Sequence, residues 1–300
     1  MKRLLFLFGF AVSLSSCSKN VYMFTSFHEP ANEGLRFLYS YDGYKWMDLN
    51  RIFLKPETGN QKVMRDPSIA QGKDGTYHLV WTSSWKDDRG FGYASSKDLL
   101  HWSEERFLPV MEHEPTTVNV WAPELFYDDE ANQFVIIWAS TIPGRFERGI
   151  EEEKNNHRMY YTTTTDFKNF TPTRLFLDPE FSVIDAVIVK RKPADYVLVL
   201  KDNTRPERNI KVAFGDKPTG PFTNVSPPFT KKFTEGPSVA KVGDDWLIYF
   251  DSYQAKRYDA VKTHDFKTFT DVSAQTSVPE GHKHGTIFRV KKNVLKGLLR

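Results

Sequence analysis

Two short phrases, each repeated around the chain, constrain the fold more than any other feature of this sequence. The first sets a small polar residue shortly before an aspartate, then a tight turn that ends on an aromatic. Its copies are SYDGYKW (40–46), SSKDLLHW (95–102), TTDFKNF (164–170), FGDKPTGPF (214–222) and THDFKTF (263–269). Asp42, Asp98, Asp166, Asp216 and Asp265 recur at intervals of 49 to 68 residues, near the period of a β-propeller blade. An aspartate in this setting caps a turn while the following aromatic packs back onto the sheet. That structural role is sufficient, and no chemistry is assigned to these five.

The second phrase is a strand, a turn and a second strand with a polar end. It occurs as DPSIAQGKDGTYHLVWTSS (66–84), APELFYDDEANQFVIIWAST (122–141), DAVIVKRKPADYVLVLKDN (185–203) and GPSVAKVGDDWLIYFDSY (236–253). A fifth copy is divided between the two ends of the chain, with HGTIFRV (284–290) as its first strand and VYMFTSF (21–27) as its second. Sharing one blade between the termini closes a ring and leaves only short sheet edges. The expectation is an all-β, five-bladed propeller in one domain spanning residues 18–300. A β-sandwich gives no reason for a fivefold repeat. No alternation of strands and amphipathic helices points to a doubly wound fold, and the charged stretch 147–154 has no apolar face.

The first residues read as a targeting segment: Lys2 and Arg3, an apolar run from Leu4 to Val12, then Leu14-Ser15-Ser16-Cys17. The run is too short to span a bilayer as a mature helix. Its end resembles a bacterial lipobox, which makes residues 1–17 a lipoprotein signal peptide, Cys17 the lipidated first mature residue, and the bacterial cell envelope the destination. Cys17 is the only cysteine, so internal disulfides are excluded and the core must hold the fold. A net charge of +3 with scattered basic residues argues against nucleic acid as a partner. A monomer is expected.

In a propeller the first strand of each blade lines the central channel, so the residues that begin those strands converge at one mouth. The equivalent positions are Asp66, Ala122, Asp185, Gly236 and His284, with Trp121 and Glu235 one residue earlier. Three carboxylates therefore meet on one face. Mutual repulsion and burial raise the pKa of the least satisfied acid, placing a protonated carboxyl beside ionised ones. Glycoside hydrolysis needs that combination, an acid for the leaving oxygen and a carboxylate for water or the sugar.

Arg65-Asp66-Pro67, Ile184-Asp185 and Glu235-Gly236-Pro237, in that order at the openings of separate blades, resemble the three acidic motifs of glycoside hydrolase family 43. The resemblance covers nearly the whole mature chain. It implies an inverting hydrolase with Asp66 as general base, Asp185 as the residue that orients and tunes its neighbour, and Glu235 as general acid. It implies an oligosaccharide or polysaccharide substrate, α-L-arabinofuranosides first, with β-D-xylosides, β-galactofuranosides or galactosides as alternatives. His284 is similar to a channel histidine that in many members lies near an ion through water. The reaction requires no cofactor, and the resemblance leaves room for a structural Ca²⁺ or other ion in the channel.

Further substrate-binding candidates come from the strand ends and loops. Lys201 ends an apolar strand and faces either sugar hydroxyls or one of the acids. Trp85, Trp121 and Phe91 sit near rim loops as candidate stacking surfaces. Arg145, His157 and Arg158 flank the longest insertion, and long loops commonly wall a propeller site. His113-Glu114-Pro115 lies in a connection that should cross the mouth. Three rivals remain: a retaining, sucrose-cleaving type of propeller, which lacks its Asn-Asp-Pro-Asn signature here; a lipid-anchored glycan binder; and a phosphorolytic relative, which would need basic residues beside the sugar.

Overall fold

The computed structural model describes residues 20–149, 151 and 154–300. The targeting segment and the lipidation site Cys17 lie outside the described residues. Five antiparallel sheets carry almost all the regular structure. Blade 1 is β4 (Arg65–Gln71), β5 (Tyr77–Thr82), β6 (Phe91–Ser96) and β7 (Arg106–Leu108); blade 2 is β8 (Trp121–Asp128), β9 (Gln133–Thr141), β10 (His157–Thr164) and β11 (Arg174–Leu177). Blade 3 is β12 (Val183–Lys192), β13 (Asp195–Asp202) and β14 (Asn209–Gly215); blade 4 is β15 (Glu235–Val242), β16 (Asp245–Ser252), β17 (Arg257–Thr263) and β18 (Thr270–Asp271).

The closing blade joins the two ends of the chain. Strand β19 (Ile287–Lys291) pairs antiparallel with β1 (Asn20–Ser26), Val21 opposite Val290 and Phe24 opposite Ile287. β2 (Arg36–Ser40) and β3 (Met47–Asp48) complete that sheet. The five-bladed, all-β propeller expected from the repeats is the observed architecture. One helix, α1 (Lys292–Leu298), follows β19 and buries Leu295 and Leu298 against the core.

The turn phrases fold as their residues require. Oδ1 of Asp42, Asp98, Asp166 and Asp265 accepts bonds from the backbone N–H groups two and three residues ahead. The hydroxyls of Ser40, Ser96, Thr164 and Thr263 accept from the N–H three residues ahead of themselves. The fourth copy has Phe214 where the hydroxyl belongs. Blade 3 is also the blade without a fourth strand; an isolated bridge between Phe214 and Thr223 stands in its place.

The feature that positions the site is a bulge at the start of four of the five inner strands. Pairing slips between Arg65 and Ser68, Trp121 and Glu124, Ile184 and Val187, and Glu235 and Ser238. At each bulge one residue takes a left-handed backbone: Asp66 (φ 50°), Ala122 (45°), Asp185 (51°) and Gly236 (58°). Such a conformation costs a non-glycine residue about 1–3 kcal/mol and persists only where its surroundings impose it. At Gly236 a side chain is also excluded by space, since a Cβ would fall 2.2 Å from the His284 ring.

Candidate active site

The bulges carry Asp66 and Asp185 to one mouth of the channel, and the residue before the fourth bulge, Glu235, to the same place. All three line a cleft of about 640 Å³, together with His284, Lys201, Trp85 and Trp121. His284 Nε2 stands 2.9 Å from Asp66 Oδ1 and 3.8 Å from Asp185 Oδ1, an ion-pair geometry rather than a straight hydrogen bond. Thr82 donates to Asp66 Oδ2 at 2.8 Å and accepts from the Ala122 N–H at 2.8 Å, tying blade 1 to blade 2. The Gly236 N–H donates to Asp185 Oδ2 at 3.1 Å. Lys201 Nζ donates to Glu235 Oε2 at 2.8 Å.

The electrostatics follow from these contacts. Burial pushes Asp66 upward, yet the close His284 charge, helped by Arg65 and the Thr82 bond, outweighs it and holds the carboxyl at about 2. Burial works against protonated His284, but Asp66 and Asp185 raise it to about 9, so the ring is an imidazolium at neutral pH. Burial raises Asp185 above its ordinary value, against the lowering charges of His284 and Lys201. Burial also works to raise Glu235, but the Lys201 ammonium beside it wins and holds Glu235 below its ordinary value. The mouth therefore holds two carboxyls pushed in opposite directions, Asp185 up by burial and Glu235 down by the Lys201 ammonium it is paired with.

A metal at this mouth was an expectation attached to His284. An imidazolium has no lone pair to offer, and its nitrogen already faces Asp66. Hard cations require several oxygen ligands. Among the described residues no group of three His, Cys, Asp or Glu side chains is arranged to hold a metal ion. The described residues around His284 offer no ready-made cage of three such ligands to an ion.

Residues 18–295 match the model of the glycosyl hydrolase 43-related family, a probable glycosyl hydrolase domain. The chain belongs to this family. Over 148 residues it is 24% identical to an α-L-arabinofuranosidase of Bifidobacterium longum subsp. longum; the match takes in 42% of this chain and 14% of that much longer relative. Among solved structures it is similar to an α-L-arabinanase of Cellvibrio cellulosa complexed with arabinohexaose, with a TM-score of 0.60, 14% identity, and coverage of 86% of this chain and 93% of that one. It is also similar to an α-L-arabinofuranosidase of Lactobacillus brevis, with a TM-score of 0.55, 18% identity, and coverage of 70% and 72%. At these identities the structural likeness shows the fold alone.

Other residues singled out in this family member fall in different places. Trp85 is 45% exposed in the cleft wall, packs edge-to-face on Trp121 and lies against the Arg65 guanidinium, 3.9 Å from its ring centre. His157 does not line the cleft. It is fully buried behind Trp121, stacks on that ring at 4.6 Å, and holds Glu151 Oε1 at 2.6 Å. Arg158 is likewise buried, bonded to Asp178, Asn156 and the Arg148 carbonyl, and serves the fold of the insertion. Arg145 pairs with Glu114 at 2.7 Å, away from the cleft lining. His113 borders a separate groove with Leu108 and Phe170, and Phe91 is core, packed on Trp138.

The long insertion does reach the cleft, but through Glu151 and Asn155. Glu151 accepts from His157, Ser182 and Asn203. Burial would raise it, yet the His157 bond and the other donors bring it below its ordinary value. Its stretch gave no signal beyond charge, because what selects Glu151 is a set of partners distant in sequence. Arg205 and Arg208, in the turn after β13, also line the cleft without any motif to announce them.

Proposed function

We propose that the protein hydrolyses terminal glycosidic bonds by an inverting acid–base mechanism, with α-L-arabinofuranosides as the first substrate class and β-D-xylosides or galactosides as alternatives. The observation that carries the reading is the meeting of Asp66, Asp185 and Glu235 at one cleft, each delivered by a bulged inner strand. Asp66, kept ionised by His284, takes the proton of a water molecule that attacks the anomeric carbon. Glu235 protonates the departing oxygen from the opposite side of the sugar. Glu235 must carry a proton to act as the acid, so arrival of the sugar must loosen the Lys201–Glu235 pair that holds it ionised. Trp85 and Trp121 offer faces for the sugar.

The Lys201–Glu235 pair also favours a second reading, a glycan-binding propeller that does not cut. Hydrolysis of aryl α-L-arabinofuranoside, β-D-xyloside, β-D-galactofuranoside and β-D-galactoside by the detergent-solubilised full chain, with Glu235→Gln alongside, separates the two. Turnover of one member that disappears in the variant supports the hydrolase. Silence across the panel with polysaccharide still bound supports the binder.

Anchoring to the cell envelope through Cys17 belongs to the same proposal and rests on the sequence of residues 2–17. No helix among the described residues is long and apolar enough to cross a membrane. Diacylglyceryl modification read by intact mass after bacterial expression, and lost in Cys17→Ser, tests it.

A further inference from the structure

The closing blade ends in a concentration of charge that the rest of the chain lacks. Residues 289–300, RVKKNVLKGLLR, hold five basic side chains and no acid, whereas the whole chain carries only +3, so all the other residues together come to −2. The stretch forms the end of β19 and then α1. Leu295 and Leu298 turn one side of α1 into the core, sharing a cluster with Leu99 of blade 1. Lys291, Lys296 and Arg300 stay exposed, with Leu299 53% exposed among them. Lys292 already has a partner within the protein, so the surface charge is that of the other three. The acids of the adjoining turns are engaged locally: Asp42 and Asp98 accept from N–H groups of their own turns, and Asp74 pairs with Lys97 at 2.9 Å.

Strand register places this patch where the chain enters the fold. Lys291 pairs with Asn20 across β19 and β1. Cys17 precedes Asn20 by three residues, a reach of at most about 11 Å. His284 lines the cleft, and from Thr286 onward the chain runs away from it along β19 at about 3.3 Å per residue. Lys291 therefore stands at the face opposite the cleft. Cations grouped around an exposed leucine suit a layer of phosphate headgroups over hydrocarbon, the ammonium and guanidinium groups meeting phosphate and the leucine the acyl boundary.

We propose that Lys291, Lys296, Leu299 and Arg300 form a docking face for an anionic phospholipid bilayer, and that docking holds the cleft pointing away from the membrane. The inference goes beyond the hydrolase reading and does not need it. A lipid at Cys17 and a basic patch beside it act on one face, and two such attachments reinforce each other. The direction of the cleft rests on that lipid; the affinity of the face for the bilayer does not.

All five blades and both strands of the ring closure lie within residues 20–300, so a chain without residues 1–17 keeps the fold and carries no lipid. Its co-sedimentation is measured with vesicles of phosphatidylcholine alone and with vesicles that also contain phosphatidylglycerol. The anionic vesicles should bind it about tenfold or more tightly, since each cation near such a surface is worth about fivefold, and added salt should weaken the binding. Lys291→Gln/Lys296→Gln/Arg300→Gln should bring the two partitions together with the circular dichroism spectrum unchanged. On the lipidated full chain in the same anionic vesicles, a membrane-impermeant amine reagent should modify Lys296 more slowly than in detergent, while Lys86 in the cleft wall reacts at the same rate.

Equal partition into the two kinds of vesicle, a preference that survives the triple substitution, or slowed modification of Lys86 instead of Lys296 would overturn the inference. So would tighter binding to a soluble sulfated polysaccharide than to the vesicles, which would assign the face to a polyanion in solution. Failure of the lipid anchor appears separately, as absence of the diacylglyceryl mass at Cys17, and leaves the vesicle measurement standing.

Discussion

Two levels of the same channel treat buried carboxyls in opposite ways. At the cleft mouth, Asp66 and Glu235 are held below their ordinary pKa values because His284 and Lys201 stand beside them. Two residues beyond Asp66, Ala122, Asp185, Gly236 and His284, the chain places Ser68, Glu124, Val187, Ser238 and Thr286. There the hydrogen-bond partners of Glu124 are hydroxyls, and His284 acts on it through charge alone. The Thr286 hydroxyl lies 2.9 Å from Ser68 Oγ and 3.1 Å from Glu124 Oε2, within hydrogen-bond reach of both. Burial dominates, the bonds from Ser68 and Thr286 offset part of it, and Glu124 is pushed up to about 7. The strands and bulges are shared, so burial alone does not decide the charge of a channel acid. What decides it is whether a cation stands close enough to outweigh burial, as at Asp66 and Glu235 and not at Asp185 or Glu124.

The comparison breaks most visibly in turnover. Asp66→Asn and Glu235→Gln should lower kcat by about 10²–10⁴-fold with the fold retained, whereas Glu124→Gln should change kcat by less than about threefold. Steady-state kinetics beside circular dichroism checks this, and a large loss in Glu124→Gln would merge the two levels into one functional unit.

Removing the cation from the mouth should make that level behave like the lower one. Lys201→Met leaves Glu235 buried without its ammonium, so its pKa rises. The alkaline limb of the kcat/KM profile, which reports the acid, should move up by about one pH unit or more, the equivalent of about 1.4 kcal/mol. An unmoved limb removes Lys201 from control of Glu235.

Stability sharpens the contrast through its sign. His284 is raised from 6.5 to about 9 in the folded protein. Its contribution is complete below pH 6.5 and is lost as pH rises through 9, on the order of 3 kcal/mol in all. Asp66, lowered to about 2, contributes above pH 3.8 and loses that contribution as pH falls through 2. Glu124, raised from 4.5 to about 7, has the opposite sign: its contribution is full below pH 4.5 and lost as pH rises through 7. Thermal unfolding of His284→Gln should flatten between pH 6.5 and 9. Glu124→Gln should flatten between pH 4.5 and 7 and raise Tm at pH 8. The same slopes in both variants would contradict the assignment.

The smallest expected effect lies outside the channel. Asp265→Ala removes the bonds to the Lys267 and Thr268 N–H groups. It should cost about 1 kcal/mol, or about 2–4 °C in Tm, with kcat unchanged.

The repeats made the ring legible because each copy carries its own turn chemistry and alternation, and because HGTIFRV and VYMFTSF are halves of one phrase. The acids were legible for the same reason, since equivalent positions in a closed ring must converge. Lys201 was placed correctly at a strand end, but whether it faced sugar or acid depended on a residue 34 positions away. Arg145, His157 and Arg158 were misplaced because an insertion has no repeat to fix its direction. The chain turned His157 and Arg158 into the wall and left Glu151 at the surface of the cleft. Glu124 was overlooked as an ordinary strand residue, since its burial comes from the other four blades.

The central claim is that Asp66 and Glu235 act on opposite faces of one sugar. Proton NMR of the first-formed anomer, recorded within minutes of mixing the wild-type chain with the glycoside it cleaves, tests this most directly. Inversion at the anomeric carbon is the predicted result, with mutarotation following. A first product of retained configuration would contradict it, because one of the three carboxylates would then have attacked the sugar itself.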